Sequence, residues 1–310
     1  MRESPSATDP ATHPTAPTGP GPRPDAKRVA FVDSGLGLVG YAAALHEAAP
    51  GIRLVLSLDP DHMPWGPRSP QAVRERVLAG ARAALELRPD AVVIACNTAS
   101  VHGLDAVRDE LEPDVPVVGT VPAIRPAAAA GGPVAVWATA ATTASDYLQG
   151  LLEAFATGTL THRVAALGLA EAVESGDLDR VDACIAAAAA ATPGGIRALV
   201  LGCTHYGLVE SRIAAAVGPG VTIFDSPHAV ARQTLRRLGL DPSAAPVASG
   251  SAPDSTDSTD STDSTDNPVE AVLLSGRPGR LPAALAAYPA GARLLGAQAS
   301  RTRRAPTLRP

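Results

Sequence analysis

Two of the three cysteines in this chain have matching surroundings. Cys96 follows the apolar run Ala91, Val92, Val93, Ile94, Ala95 and precedes Asn97 and Thr98. Cys203 follows Ala198, Leu199, Val200, Leu201, Gly202 and precedes Thr204, His205 and Tyr206. A thiol titrates near ~8.5, and a helix N-terminus or a nearby cation brings it down to about 3.5–7.5. Such a group serves as both acid and base near neutral pH. Two thiols on opposite faces of one carbon can invert it: one removes a proton and the other returns one to the far side. The α-proton of an amino acid is a very weak acid, so the base must be strong and poised. Asp33 and His205 are the titratable neighbours expected to tune or relay the protons. Cys184, in contrast, lies in a run of alanines and reads as a small inert apolar residue.

The elements that would position these thiols follow from the hydrophobic pattern. Short apolar runs at 29–32, 52–58, 91–95, 115–118, 134–137, 198–201 and 221–224 are bounded by turn residues and read as buried strands. Helix-like segments at 69–87, 100–111, 143–156, 177–191 and 226–238 lie between them. Strands alternating with helices predict parallel sheets and an α/β fold. An internal repeat aligns the Cys96 segment with the Cys203 segment, and Val29 to Ser34 with Val134 to Thr139. Two α/β units of similar layout are expected. Each places a cysteine just past the carboxyl end of a strand, where open α/β sheets bind ligands. The helix dipole there would favour thiolate at both positions. If the units face each other, both thiols enter one cleft. Asn97, Thr98 and Thr204 would donate to a carboxylate beside the helix N-termini, and simple helix capping is the plainer role for the same residues.

Composition narrows the class of protein. Residues 1–26 are rich in Pro, Thr, Ser and Ala and read as a disordered tail. Residues 241–268 carry the Asp-Ser-Thr repeat and read as a disordered acidic insertion, after which 269–274 resumes the fold. The stretch 300–310 reads as a frayed basic tail. The domain reading is a first α/β domain of 27–120 plus 226–299 and a second of 121–225. A net charge of −5 without basic patches argues against nucleic acid as a partner. No apolar run is long enough to span a membrane. The start of the chain lacks the pattern of a signal peptide. An odd, low cysteine count without C-x-x-C spacing argues against disulfides and zinc, so no metal site is expected. A reduced, cytoplasmic protein follows. No G-x-G-x-x-G or P-loop pattern follows a strand, which ranks a nucleotide-binding module low.

A family resemblance then enters. Asp33-Ser34-Gly35, Pro64-Trp65-Gly66, Ala95-Cys96-Asn97-Thr98-Ala99-Ser100 and Gly202-Cys203-Thr204-His205-Tyr206 resemble the ordered signature set of the glutamate racemases. Thr139, Thr142, Ser145 and Tyr147 resemble that family's Thr-rich strand-to-helix turn, and Val173-Glu174, Gly176 and Asp225-Ser226 also fit. The likeness runs from about Lys27 to Leu240. It implies two pseudo-symmetric flavodoxin-like domains with the active site between them. It also implies racemisation without a cofactor, with glutamate as substrate and D-glutamate supplied to peptidoglycan. By position it makes Cys96 and Cys203 the acid/base thiols, with Asp33 assisting the first and His205 the second. Ser34, Pro64, Trp65, Gly66, Asn97, Thr98 and Thr204 would line the substrate. Asp59 and Glu174 would support the site; their plainer readings are a turn residue before Pro60 and a solvated helix charge.

The chain departs from the family at several points. Trp65 stands where the family has Tyr; it keeps one N–H donor, loses the phenol and is bulkier. Gly37-Leu38 stands where the family has Gly-Gly, and the Cys-Pro before the Val-Glu segment is absent. A racemase of aspartate or another acidic substrate is one alternative, and a non-catalytic binding protein with the same fold is another. Intact Cys96 and Cys203 favour an enzyme. The oligomeric state, a homodimer or otherwise, is not given by the sequence.

Overall fold

A computed structural model of the protein describes residues 26–244 and 267–302. The expected tail 1–26, apart from Ala26, and most of the acidic insertion lie outside the described residues. At the insertion's edges Pro242–Ala244 forms a 3-10 turn, and Asn267 and Pro268 dock onto the sheet, where the Pro268 carbonyl accepts from Leu54 N at 2.8 Å. Of the stretch 300–310, residues 300–302 belong to the last helix, Pro289–Thr302, and the rest lies outside.

Ten strands form two sheets: β1 Arg28–Asp33, β2 Arg53–Leu58, β3 Ala91–Ile94, β4 Val117–Gly119, β5 Val134–Ala138, β6 Thr161–Ala165, β7 Ala198–Leu201, β8 Thr222–Phe224, β9 Val269–Leu274 and β10 Arg277–Pro278. The first sheet has the order β10-β9-β2-β1-β3-β4 and the second β6-β5-β7-β8. All pairings are parallel except β9 with β10. The repeat is visible in the register. Val29 pairs with Ala91 in the first sheet, and Val134 pairs with Ala198 in the second. β2-β1-β3-β4 and β6-β5-β7-β8 are therefore copies of one four-stranded plan.

Parallel strands are buried on both faces, which is why they read as near-continuous apolar runs. In β1, Val29 and Phe31 join one apolar cluster while Ala30 and Val32 join another. The first cluster also takes Trp137, Leu199 and Leu201 of the second sheet, so one core runs between the two units. Helix Pro70–Leu85 covers the outer face of the first sheet through Val73, Val77, Ala81 and Ala84. Its N-terminus is capped by Ser69 Oγ, which accepts from Ala72 N at 3.2 Å.

The helix expected at 100–111 is two helices, Asn97–His102 and Leu104–Leu111. They break at Gly103, whose missing Cβ would overlap Val77 of the neighbouring helix. Likewise 143–156 divides into Ala140–Thr143 and Asp146–Phe155, because Ser145 turns its hydroxyl onto Leu148 N and starts a new helix. β6 is an edge strand with only Val164 buried, Arg163 exposed and Thr161 and His162 half-buried, so it lacks the apolar run that marks the inner strands. Among the described residues no helix is long and apolar enough to cross a membrane.

Candidate active site

Each thiol sits where the fold predicts, one residue ahead of a helical turn. Cys96 is the N-cap of helix Asn97–His102 and Cys203 the N-cap of the 3-10 helix Thr204–Val209. Their backbones are nearly identical, with φ/ψ of −141/121° and −133/134°. Both line one small cavity between the two sheets, Cys96 buried and Cys203 partly exposed. Asp33, Ser34, Pro64, Trp65 and Gly66 approach it from the first unit, together with Asn97 and Thr98. Thr204 and His205 approach it from the second. The cavity is about 30 Å³, room for a few waters. An amino acid of glutamate's size does not fit in that volume.

Around Cys96 the dominant effect is burial. Asp33 is fully buried at the end of β1, and desolvation pushes its carboxyl up to about 6, against the pull of His205 and of a hydrogen bond from the Cys96 thiol. Its Oδ1 accepts from Ser34 N at 2.6 Å, and its Oδ2 accepts from Thr204 Oγ1 at 3.2 Å across the cleft. Burial and then the Asp33 charge push the Cys96 thiol well above its ordinary range. The expectation of a helix dipole favouring thiolate at both cysteines is thus corrected at Cys96. There the short helix contributes one backbone hydrogen bond, from Ala99, and desolvation outweighs it.

Around Cys203 the pattern is different. His205 Nδ1 lies 3.8 Å from Cys203 Sγ, and His205 Nε2 lies 3.0 Å from Glu174 Oε2. Burial alone would lower the imidazole, but its hydrogen bonds to Cys203 and Glu174 raise it well above the usual histidine range. A doubly protonated ring donates both N–H groups here, one to sulfur and one to carboxylate. Glu174 is no solvated helix charge: the same Oε2 accepts Leu36 N of the first unit at 2.7 Å.

Two glycines allow this close approach. A Cβ on Gly35 would overlap the Glu174 carboxylate, and one on Gly37 would overlap Thr204 Oγ1 and lie within 2.5 Å of Asp33 Oδ2 and 2.8 Å of His205 Nδ1. The adjoining Leu38 is fully buried in the common core and does not line the cavity. Asn97 also bridges the units, its Nδ2 donating to the Gly202 carbonyl at 2.9 Å. Its Oδ1 is buried without a partner, an uncommon state for a polar atom.

Trp65 lines the cavity as expected, but its N–H is not aimed into it. Its Nε1–H donates to Asp59 Oδ2 at 3.1 Å, so only the apolar ring is left for the cavity. Asp59 stands behind it and does not line the cavity. The sequence reading of the site omitted five lining residues, Met63, Thr139, Thr142, Ala170 and Gly202. The Thr139–Thr142 turn carried a signal in its spacing: Thr139 Oγ1 caps its helix by accepting Thr142 N at 3.3 Å. Ala170 and Met63 carried none, because chain folding alone brings them there. Among the described residues, no group of three or more His, Cys, Asp or Glu side chains is placed to hold a metal ion.

Comparison with known proteins agrees with this geometry. Residues 40–234 match the model of the Asp/Glu/Hydantoin racemase family. A glutamate racemase of Pseudomonas putida is 37% identical over 232 residues, covering 72% of this chain and 86% of the relative. One of a Roseiflexus species is 35% identical over 216 residues, covering 68% and 79%. Among solved structures, the Escherichia coli glutamate racemase in complex with L-glutamate and an activator, UDP-MurNAc-ala, superposes with a TM-score of 0.64 at 29% identity, over 74% of this chain and 86% of that one. A glutamate racemase isoform of Bacillus anthracis gives 0.59 at 30% identity, over 69% and 82%. With paired thiols facing one cleft between two copies of a parallel sheet, the chain belongs to the Asp/Glu/hydantoin racemase family, among its glutamate racemases.

Proposed function

We propose that this chain interconverts L- and D-glutamate by proton transfer at Cys96 and Cys203, without a cofactor. The observation that carries the reading is a single cavity reached by one sulfur from each unit, each with a different titratable partner. In one direction Cys203, as thiolate beside the His205 imidazolium, takes the α-proton. Cys96 gives its S–H proton to the opposite face. One C–H and one S–H bond break, and one of each forms. In the other direction the roles exchange. Asp33 holds the Cys96 proton by hydrogen bonding, and Glu174 holds His205 in place.

Among the described residues, the cavity wall has no Lys or Arg. The two substrate carboxylates would therefore rest on neutral donors: Ser34, Thr98 and Thr204, backbone N–H groups near Pro64 and Gly66, and the added Thr139 and Thr142. The unpartnered Oδ1 of Asn97 would accept from the substrate ammonium. The two sheets would be two domains meeting near 120 and 225, parting to admit substrate. The product would supply peptidoglycan synthesis, and the thiols would stay reduced in the cytoplasm. A homodimer is the assembly to look for in solution.

A chiral assay in deuterated water tests the reading. L-glutamate should yield D-glutamate labelled at the α-carbon, with no response to pyridoxal phosphate. Product without label rejects thiol-mediated exchange. Turnover of aspartate in place of glutamate would move the assignment to the second acidic substrate, which the bulk of Trp65 and the small cavity favour.

A further inference from the structure

A second cavity, of about 240 Å³, adjoins the catalytic one, and Trp65 and Asp33 line both, Trp65 as the only apolar side chain they share. The ring is 1% exposed and packs in the same apolar cluster as Cys96. It is a partition between a small reacting space and a larger, polar one.

The partition is fixed from behind. Trp65 Nε1–H donates to Asp59 Oδ2 at 3.1 Å. Asp59 Oδ1 in turn accepts Ser275 Oγ at 2.7 Å and lies 2.9 Å from His62 Nδ1. His62 Nε2 is 3.2 Å from Arg76 Nη1. A guanidinium only donates, so Nε2 accepts and the ring proton sits on Nδ1, pointing at Asp59. Asp59, His62, Arg76 and Ser275 all line the rear cavity. Ser275 is held at φ +47°, a left-handed backbone uncommon for serine, and such outliers persist only where the surroundings impose them.

We propose that Trp65 is the specificity-determining residue for substrate size, and that Asp59, oriented by His62 and Ser275, is the positioning residue that keeps the ring between the two cavities. The inference rests on the glutamate racemase reading and deepens it. With the ring in place the substrate side chain meets an apolar wall. With the ring removed or released, the reacting space joins the rear cavity and gains the polar groups of His62 and Arg76. A longer acidic side chain then fits.

The test is the ratio of kcat/KM for L-glutamate to that for L-2-aminoadipate, which is one methylene longer. Pockets discriminate one methylene by about 10–200-fold, and the wild-type ratio should lie in that range. Trp65→Ala should move the ratio at least ~10-fold toward 2-aminoadipate. Trp65→Phe, which keeps an aromatic ring but loses the N–H that Asp59 holds, should move it the same way by a smaller factor than Trp65→Ala. Asp59→Ala should move it the same way by a smaller factor, and Asp59→Asn should move it less than Asp59→Ala, because the amide oxygen still accepts the indole N–H while its nitrogen gives up the bonds from His62 and Ser275. A ratio unchanged in folded Trp65→Ala overturns the proposal, as does equal behaviour of Asp59→Ala and Asp59→Asn. Should Trp65→Ala not fold, the Asp59 pair decides alone. Failure of the glutamate reading is separate: the wild type would then racemise another amino acid, and the same ratio is taken for that substrate and its homologue one methylene longer.

Discussion

The Cys96 and Cys203 regions share a backbone and differ in charge. Both cysteines follow a central strand, both hold an extended conformation, and both start a helical turn. Their titratable partners occupy non-equivalent places in the repeat. Asp33 takes a hydrogen bond from Cys96, but the matching residue of the second unit is Ala138. His205 Nδ1 lies 3.8 Å from Cys203 Sγ, but the matching residue of the first unit is Thr98. The repeated plan thus delivers two sulfurs symmetrically, and one unmatched side chain per unit makes one site acidic and the other imidazole-assisted. A site that must act in both directions need not be built from identical halves.

The largest effect that would break this comparison is loss of either sulfur. Cys96→Ser and Cys203→Ser should each lower racemisation by about 10³-fold or more, at the upper end of general acid–base contributions. Both should retain the wild-type circular dichroism spectrum. Near-wild-type turnover in either variant would mean that a single thiol suffices.

Next comes the contact between the units. Gly37→Ala forces a methyl group onto Thr204, Asp33 and His205. We expect kcat/KM to fall by about 10²-fold, the order that small misplacements of reacting groups cost. The same change at Gly40, which has open space around it, should be nearly silent and serves as the control.

The pH profile separates the two sites with smaller effects. Asp33 is pushed up to about 6, so its carboxylate forms only as the pH rises through that value. The acid limb of kcat/KM should lie there and vanish in Asp33→Asn, with about a tenfold loss at its optimum. His205 is raised, so its protonated form persists above neutrality and is lost on the alkaline side. Removing a partner that raises it lowers that limb. Glu174→Gln should move the alkaline limb down by about one pH unit and leave the acid limb in place. If both limbs move together in either variant, the two sites titrate as one unit and the contrast between them fails.

Much of this was legible in the sequence. Short apolar runs such as 91–95 and 198–201, bounded by turn residues, read as strands buried on both faces, and a cysteine just past each is placed at the ligand-binding edge. Local signals of this kind depend on residue type and near neighbours, so they survive without coordinates. The family motifs added the order in which the loops meet. The edge strand β6 was not legible because it lacks the apolar run that marks the inner strands. The helix break at Gly103 was not legible because glycine is tolerated inside a helical pattern, and Val77, whose side chain leaves no room for a Cβ there, is distant in sequence.

What the sequence by itself determined is therefore the repeated parallel-sheet plan, the pair of thiols and the set of polar residues beside them. Only the tertiary structure decided that Cys96 is held as a thiol, that Glu174 grips His205 and the Leu36 backbone with one oxygen, and that Trp65 gives its N–H to Asp59 instead of facing substrate with it. Burial and hydrogen-bond partnership set protonation and orientation. Both are properties of what surrounds an atom in space, which chain order does not encode locally.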